Sequence, residues 1–151
     1  MHWRSRSRRN KEREYDMITV LPMKTAEEQQ IFLQTHTVCD GYNCLYRAEE
    51  RGKEVGWFSL FCAEERVTIL ELEVNGCTDE NCLSEDDQYI IELLVRTAAS
   101  YGANHMAMFL QYNDFKFREF LQRFGFCENA YGAFELEIAK LLHGGGHCNH
   151  S

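Results

Sequence analysis

The segment VTILELEVNGCTDENCLSEDDQYIIELLVRTAASYG, residues 67–102, contains the signals for a strand, a loop and a long helix in succession. Branched and apolar residues at alternate positions predict a strand over residues 67–74, which Gly76 follows as a stop. Ser84 is a typical helix N-cap, and the acidic residues behind it suit the positive end of a helix dipole. Apolar residues then recur at helical spacing and predict a helix that ends at Gly102.

The flanking sequence predicts shorter elements of the same two kinds. Upstream, the patterns predict strands at residues 17–23, 44–50 and 54–62 and a helix at residues 25–34. Downstream, they predict a strand at residues 104–111, a short helix within residues 117–124 and a final strand pair within residues 126–138. The crossover through the long helix makes the strands on either side of it parallel neighbours. We therefore predict a mixed α/β (α+β) domain with helices on both faces of a central sheet.

The composition suits a single acidic domain. The chain has 151 residues and a formal net charge of −8. Removing the six basic and three acidic side chains of residues 1–16 leaves a net charge of −11 on the rest. A body this acidic repels nucleic acid and attracts a cationic or amine ligand. No apolar run approaches the roughly 20 residues of a membrane span, so we expect a cytoplasmic protein that does not associate with membranes.

The ends of the chain differ in composition from its centre. We expect a basic, disordered leader at residues 1–16, a folded domain at residues 17–142 and a flexible tail at residues 143–151. Two alternatives stay open for the leader: it binds RNA or phospholipid, or the native protein starts at Met17. The tail holds potential metal ligands at His143, His147, Cys148 and His150. The glycines between them favour disorder over a preorganised metal site, so we predict no bound metal.

The seven cysteines allow more than one interpretation. Their odd number and the lack of a secretory signal favour reduced thiols, several of them buried as small apolar groups. Two pairs, Cys39–Cys44 and Cys77–Cys82, share the same spacing and permit a zinc hypothesis. This spacing is only weakly typical of zinc sites, and reduced thiols remain the favoured interpretation.

Two short segments resemble the GNAT superfamily of acyltransferases. The run FLQRFGF, residues 120–126, resembles the family's aromatic-Tyr-x-x-apolar-Gly-Phe signature, and AASYG, residues 98–102, fits the end of its long helix. The order of elements over residues 17–138 also fits. The resemblance implies a GNAT-like acyl-CoA N-acyltransferase fold, with acetyl-CoA or another acyl-CoA as the donor and an amine as the acceptor. The amine would belong to a small molecule or a protein.

The same resemblance implies where coenzyme A would lie. In the family, the pantetheine arm follows the strand equivalent to residues 67–74 in a gap between splayed strands, and the pyrophosphate sits at the start of the next helix. By position, the contacting residues are Leu72, Glu73, Val74, Ser84, Glu85, Asp86, Asp87 and Asn113, with Asp114 as an alternative to the last. The family has glycines where this chain has Glu85 and Asp87. A carboxylate there would repel a phosphate by roughly 1 kcal/mol in water and about 4 kcal/mol at a partly buried site.

N-acyl transfer needs a base that takes a proton from an ammonium group. Glu71 and Glu73 are the candidates, because the family often carries its base on this strand. Strand alternation places both on one face with Val67 and Ile69. Half-exposed structural carboxylates would show the same pattern, so the assignment stays an expectation.

The acid of the reaction is less easily assigned. Many family members have a tyrosine that protonates the leaving thiolate at the position of Leu121, which has no proton to give. Tyr112 and Tyr131 are the candidates to replace it, with Tyr112 preferred. His36 and His105 are further candidate bases, although a single histidine beside a strand is more often structural.

Two functions therefore remain open. The chain is either a GNAT acyltransferase that binds acyl-CoA in a modified way, or a non-catalytic GNAT-fold module that binds a partner or a cationic ligand. The family resemblance favours the first, and the changes at Glu85, Asp87 and Leu121 favour the second. The sequence does not determine the oligomeric state, and a homodimer is left open.

Overall fold

A computed structural model describes residues 2–4, 17–77, 79 and 81–143. Residues 5–16 of the predicted leader and residues 144–151 of the predicted tail, with the tail's His147, Cys148 and His150, lie outside the described residues. In chain order the elements are β1 (His2–Arg4), β2 (Met17–Pro22), α1 (Ala26–Leu33), β3 (Cys44–Glu50), β4 (Lys53–Ala63), β5 (Arg66–Val74), α2 (Glu85–Asn104), β6 (Phe109–Tyr112), α3 (Arg118–Leu121) followed by a 3-10 turn (Gln122–Phe124), β7 (Cys127–Glu128), β8 (Phe134–Glu137) and α4 (Ile138–His143).

The described residues form one mixed eight-stranded sheet in the order β1-β2-β3-β4-β5-β6-β8-β7. Strands β2 to β5 are an antiparallel meander. Strand β6 then pairs parallel to β5 after the crossover through α2, which is the predicted arrangement. Strands β8 and β7 complete the sheet in antiparallel pairing. The sequence therefore predicted the fold class and the parallel pair correctly.

Each face of the sheet is covered by a helix. Helix α2 packs its buried side chains, including Ile91 and Leu94, against the larger core on one face. Helix α1 covers the other face, where Phe32 packs with Trp57 in a smaller cluster. Thr25 caps the start of α1, because its side chain accepts a hydrogen bond from the backbone N–H of Glu28. None of the described helices combines the length and apolar composition that a membrane-spanning segment requires.

Two element boundaries differ from the prediction, and two elements were not predicted. Helix α2 continues past Gly102 to Asn104, so that β6 begins only at Phe109. Gly102 is buried against β5, where a side chain would collide with Val67, and it serves close packing rather than helix termination. Residues 2–4 form an edge strand on β2, where the sequence predicted a leader without regular structure. The chain also adds helix α4, which extends to His143 because Leu141 is buried in the α2-side core.

The cysteines depart from the expectation at one position. The described cysteines Cys39, Cys44, Cys62, Cys77 and Cys82 are free. Cys127, by contrast, is disulfide-bonded, so the prediction of a reduced thiol is wrong there. Spacing along the chain does not show which sulfurs meet in space, and this is the reason for the error. The described residues contain no group of three or more metal-ligand side chains.

Candidate functional site

Strand β5, which carries the candidate bases Glu71 and Glu73, contains a β-bulge. On β4, Ser59 and Leu60 are consecutive, yet they pair with Glu71 and Ile69 of β5, so Leu70 is an extra residue without a partner. A bulge of this kind bends its strand and shifts the alternation of side chains by one position. It lies in the middle of β5, opposite the point where β6 ends.

The bulge changes the face on which the candidate bases lie. Before it, Val67 and Ile69 face the core beneath α2, and after it, Leu72 and Val74 face that same core. Glu71 and Glu73 therefore project to the opposite, α1-covered face; Glu73 pairs there with Trp57. The prediction that both glutamates share a face with Val67 and Ile69 is wrong, because strict alternation does not hold across an extra residue.

A gap opens between the two parallel strands beyond the bulge. Strand β6 pairs with β5 only from Arg66 to Ile69 and ends at Tyr112, whereas β5 continues to Val74. Residues 113–117 turn away to start α3, and only the backbone N–H of Asn113 still reaches the carbonyl of Ile69, at 2.9 Å. The edge of β5 from Leu72 to Val74 thus faces a loop instead of a strand.

The side chain of Asp114 lies in this gap. Its Oδ2 accepts a hydrogen bond of 3.1 Å from the backbone N–H of Leu72 and one of 2.9 Å from Nζ of Lys116. The same ammonium lies 2.7 Å from Oε2 of Glu73. Burial acts to lower the pKa of Lys116, but the hydrogen bonds to Glu73 and Asp114 outweigh it and raise that pKa. Lys116 therefore stays charged and joins the two carboxylates across the gap.

Glu71 is bound to the loop that follows α1. Its Oε1 accepts a hydrogen bond of 2.8 Å from the backbone N–H of Cys39. The pKa of the Cys39 thiol is raised, chiefly by its hydrogen bond to Glu71 and then by burial. Glu71 thus lies on the α1-covered face beside an exposed thiol, which the sequence had paired only with Cys44. That pair is split, because Cys44 packs against the core on the α2 side.

The other candidate catalytic side chains lie elsewhere. Tyr112 is fully buried, and its hydroxyl donates a 2.7 Å hydrogen bond to the carbonyl of Lys116. Tyr131 is almost fully exposed in the β7–β8 hairpin. Nε2 of His36 lies 2.8 Å from the Glu54 carboxylate. The His105 ring stacks on Tyr101 at the carboxyl end of α2, at the opposite end of β5 from the gap.

The start of α2 is closed by its own side chains. Ser84 accepts a 3.0 Å hydrogen bond from the backbone N–H of Asp87, and Asp87 accepts one of 3.3 Å from the N–H of Ser84. This reciprocal capping box uses N–H groups that a helix N-terminus offers to an anion. Glu85 and Asp86 add two more acidic residues to the first turn. The residues therefore do not fit a pyrophosphate held in the manner the family resemblance implied.

A groove of about 450 Å³ runs beside this helix start. Its lining includes Glu85 and Glu92 on α2 and Phe120, Arg123 and Phe124 on the facing segment. The Arg123 guanidinium stacks over the Phe120 ring at 5.5 Å, and it supplies a cation on the wall that faces the carboxylates of α2. The sequence predicted a single short helix within residues 117–124, whereas Phe124 lies in a 3-10 turn, because such a turn cannot be recognised from helical spacing alone.

Comparison with known proteins gives matches in structure but not in sequence. No protein-family model matches the chain, and no curated protein matches its sequence. The GNAT family N-acetyltransferase YhbS from Escherichia coli, solved in complex with CoA, is 16% identical over 87% of both chains, with a TM-score of 0.51. A GNAT-family protein from Desulfovibrio desulfuricans is 13% identical and matches 81% of this chain and 99% of its own, with a TM-score of 0.56.

A third solved structure agrees with these two. YhhK from Escherichia coli, bound to coenzyme A, is 16% identical and matches 78% of this chain and 96% of its own, with a TM-score of 0.50. The element order, the parallel β5–β6 pair with its gap and these likenesses agree with one another. The chain has the fold of the GNAT-family acetyltransferases.

Proposed function

We propose that the chain is a GNAT-family N-acyltransferase that moves an acyl group from a coenzyme A thioester to an amine. The observation that carries the proposal is the opening of the sheet at Leu70. The bulge and the early end of β6 leave the edge from Leu72 to Val74 without a neighbouring strand. An extended pantetheine arm can bind to such an edge as a peptide strand does.

The residues along the β5 edge fit the pantetheine arm of coenzyme A, whereas those at the start of α2 do not fit its pyrophosphate. Leu72, Glu73 and Val74 would bind the pantetheine arm, with Asn113 at the mouth of the gap. Coenzyme A would supply the acyl group as an activated thioester. The positions Ser84, Glu85, Asp86 and Asp87 do not fit the pyrophosphate, because the capping box and the acidic side chains occupy them. The cofactor would therefore be held mainly through its pantetheine arm.

Glu71 is the group that would take a proton from the acceptor amine. It lies on the α1-covered face, next to the gap and away from the apolar core, where an ammonium group is attracted by the surrounding carboxylates. Glu73 is less suited, since Lys116 already neutralises it at 2.7 Å. Tyr112 is less suited as an acid, since its hydroxyl is committed to Lys116 inside the core.

A second function is favoured by the same capping box. A non-catalytic GNAT-fold module would have no need for a pyrophosphate site, and its acidic helix start would be free to evolve as a plain helix cap. This alternative predicts that the intact chain does not bind coenzyme A and does not transfer acyl groups.

Calorimetric titration with acetyl-CoA distinguishes the two functions. Micromolar binding by the unaltered chain, together with acyl transfer to an amine that Glu71→Gln abolishes, supports the enzyme. No binding by the unaltered chain or by Glu85→Gly/Asp87→Gly supports the module. The matched control is Glu85→Gln/Asp87→Asn, which removes both charges but keeps a side chain that can accept the Ser84 hydrogen bond. Recovery of binding in both variants would assign the defect to charge, and recovery in the glycine variant alone would assign it to backbone access.

A further inference from the structure

We infer that Asp114 is an internal gate of the β5–β6 gap. It closes the acyl site because it occupies a backbone N–H on the open β5 edge that would otherwise be available to polarise an acyl carbonyl. This inference rests on the proposed function, since it concerns the regulation of the same site. The backbone N–H of Leu72 lies on the open edge of β5 and donates to Asp114 Oδ2 at 3.1 Å. The two residues are 42 positions apart, so the contact is a tertiary one and not a local turn.

The Asp114 carboxylate accepts a stronger hydrogen bond from the Leu72 N–H than a thioester carbonyl would. Hydrogen bonds to an ionised acceptor are roughly twice as strong as those between neutral groups. An entering acyl carbonyl is a neutral acceptor and would have to displace Asp114 before it could accept from Leu72. The closed gap therefore opposes every acyl donor, and it opposes acyl groups that themselves carry a carboxylate most of all.

Lys116 keeps the gate closed. Its ammonium bridges Asp114 and Glu73, at 2.9 Å and 2.7 Å, and so offsets the repulsion between the two carboxylates. The bridge spans the mouth of the gap from the loop to β5. Loss of this cation would leave the carboxylates facing each other, and Asp114 would be driven away from the β5 edge.

Three hydrogen bonds that do not involve the Asp114 carboxylate also hold the main chain around the gate. The N–H of Asn113 donates to Ile69, the hydroxyl of Tyr112 donates to the Lys116 carbonyl, and Nε of Arg118 donates to the Asp114 carbonyl at 2.9 Å. A rotation of the Asp114 side chain can therefore open the gap while the loop keeps its path. Opening would still break the Oδ1 contact with the backbone N–H of Phe115, at 2.8 Å.

The sharpest variant is Asp114→Asn. Its single amide oxygen can accept from Phe115, as Oδ1 does now, or from Leu72, but not from both in the present geometry. The substitution also removes the ion pair with Lys116. Because asparagine suits this kind of turn as well as aspartate does, the loop should still fold. A second variant, Lys116→Met, retains the Asp114 carboxylate and removes only the bridging cation.

The experiment combines amide NMR with calorimetry on the full chain. In the unaltered protein the Leu72 amide proton should resonate downfield, as expected for a hydrogen bond to a carboxylate, and Asp114→Asn should move it upfield. Acetyl-CoA should bind Asp114→Asn roughly tenfold more tightly than the unaltered chain, with a smaller gain for Lys116→Met. The control is Glu137→Gln, which removes a carboxylate from the ion pair with Lys140 at the far end of β6 and should change neither readout.

The failures can be told apart. Equal affinities in the unaltered chain and Asp114→Asn would overturn the gate and leave the proposed function standing. A Leu72 amide that does not respond to Asp114 would overturn the gate as well. If no variant binds acetyl-CoA, the proposed function fails, and the gate fails with it because there is nothing for it to admit.

Discussion

Replacement of Gly102 by alanine tests how closely α2 packs against β5, the strand that borders the gap. A Cβ at this position would lie 2.6 Å from Cγ1 of Val67 and 2.8 Å from Cδ1 of Ile138. Carbon atoms pack best at about 3.5–4.0 Å, so both contacts are short by roughly 1 Å. Overpacking of this kind costs about 1–3 kcal/mol, and the better helix propensity of alanine offsets roughly 1 kcal/mol. We expect a net loss of up to about 2 kcal/mol in the free energy of unfolding.

Urea unfolding followed by circular dichroism measures this loss. Two further variants, Gly102→Asn and Val67→Ala/Gly102→Ala, distinguish a packing role of Gly102 from a role in ending the helix. A glycine that ends a helix is replaced by asparagine with less loss than by alanine, whereas a tightly packed glycine is replaced by the larger asparagine with more loss. Val67→Ala should relieve part of the collision, so the double variant Val67→Ala/Gly102→Ala should lose less stability than the two single losses combined. An increase in stability for Gly102→Ala would refute the packing argument, as would an asparagine variant more stable than the alanine one.

Three further predictions concern titration and capping. Burial, together with the nearby Cys44 and Tyr101, raises the pKa of Tyr46 from 10.0 to about 12. The folded state therefore holds this proton more tightly than the unfolded state does. After allowance for the partial exposure of the ring, the free energy of unfolding should fall by about 1 kcal/mol as the pH rises from 10 towards 12. Tyr46→Phe should remove this part of the alkaline slope in a pH series of urea titrations, and an unchanged slope would contradict the assignment. Glu71→Gln should lower the raised pKa of Cys39 and speed its alkylation by iodoacetamide, measured on the Cys39 peptide by mass spectrometry with exposed Cys82 as the internal control; an unaltered rate would mean that Glu71 does not hold the thiol. Ser84→Ala should cost about 1 kcal/mol in urea unfolding while Ser84→Asp costs far less, and equal losses would show that the cap is not what starts α2.

The sequence predicted the elements whose causes are local. Strand β3 spans the predicted residues 44–50, and Ser84 begins α2 as expected, because strand alternation and N-cap chemistry act over a few neighbouring residues. The boundary at Gly102 was wrong for the opposite reason. A glycine that ends a helix and one that permits close packing look alike in sequence, and only the contact with Val67 distinguishes them.

The site was predicted less well than the fold, since it depends on contacts between distant residues. The sequence did contain a signal for the bulge: Ile69 and Leu70 are consecutive apolar residues, and the apolar positions change from 67 and 69 to 72 and 74 across them. Strict alternation was nevertheless assumed over the whole strand, so Glu71 and Glu73 were assigned to the wrong face. Asp114 entered the sequence argument only as an alternative to Asn113, although it makes the contact with Leu72. The available signal was a pair of opposite charges, Asp114 and Lys116, directly after a short buried strand.

Coenzyme A would pass acidic side chains at two points, Asp114 in the gap and the acidic start of α2. A truncated donor distinguishes the effects of these two sets of side chains. Acetyl-pantetheine lacks the pyrophosphate, so it would meet Asp114 in the gap but not the capping box of Ser84 and Asp87. If the helix start opposes phosphate and the donor is held through its pantetheine arm, as proposed, the unaltered chain should use acetyl-CoA with a kcat/KM no higher than that for acetyl-pantetheine. Glu85→Gly/Asp87→Gly should improve the use of acetyl-CoA alone, whereas Asp114→Asn should improve both donors equally. A preference of the unaltered chain for acetyl-CoA by about a hundredfold would mean that the start of α2 contributes roughly 2.7 kcal/mol to the transition state. That result would refute the conclusion that the capping box excludes the pyrophosphate.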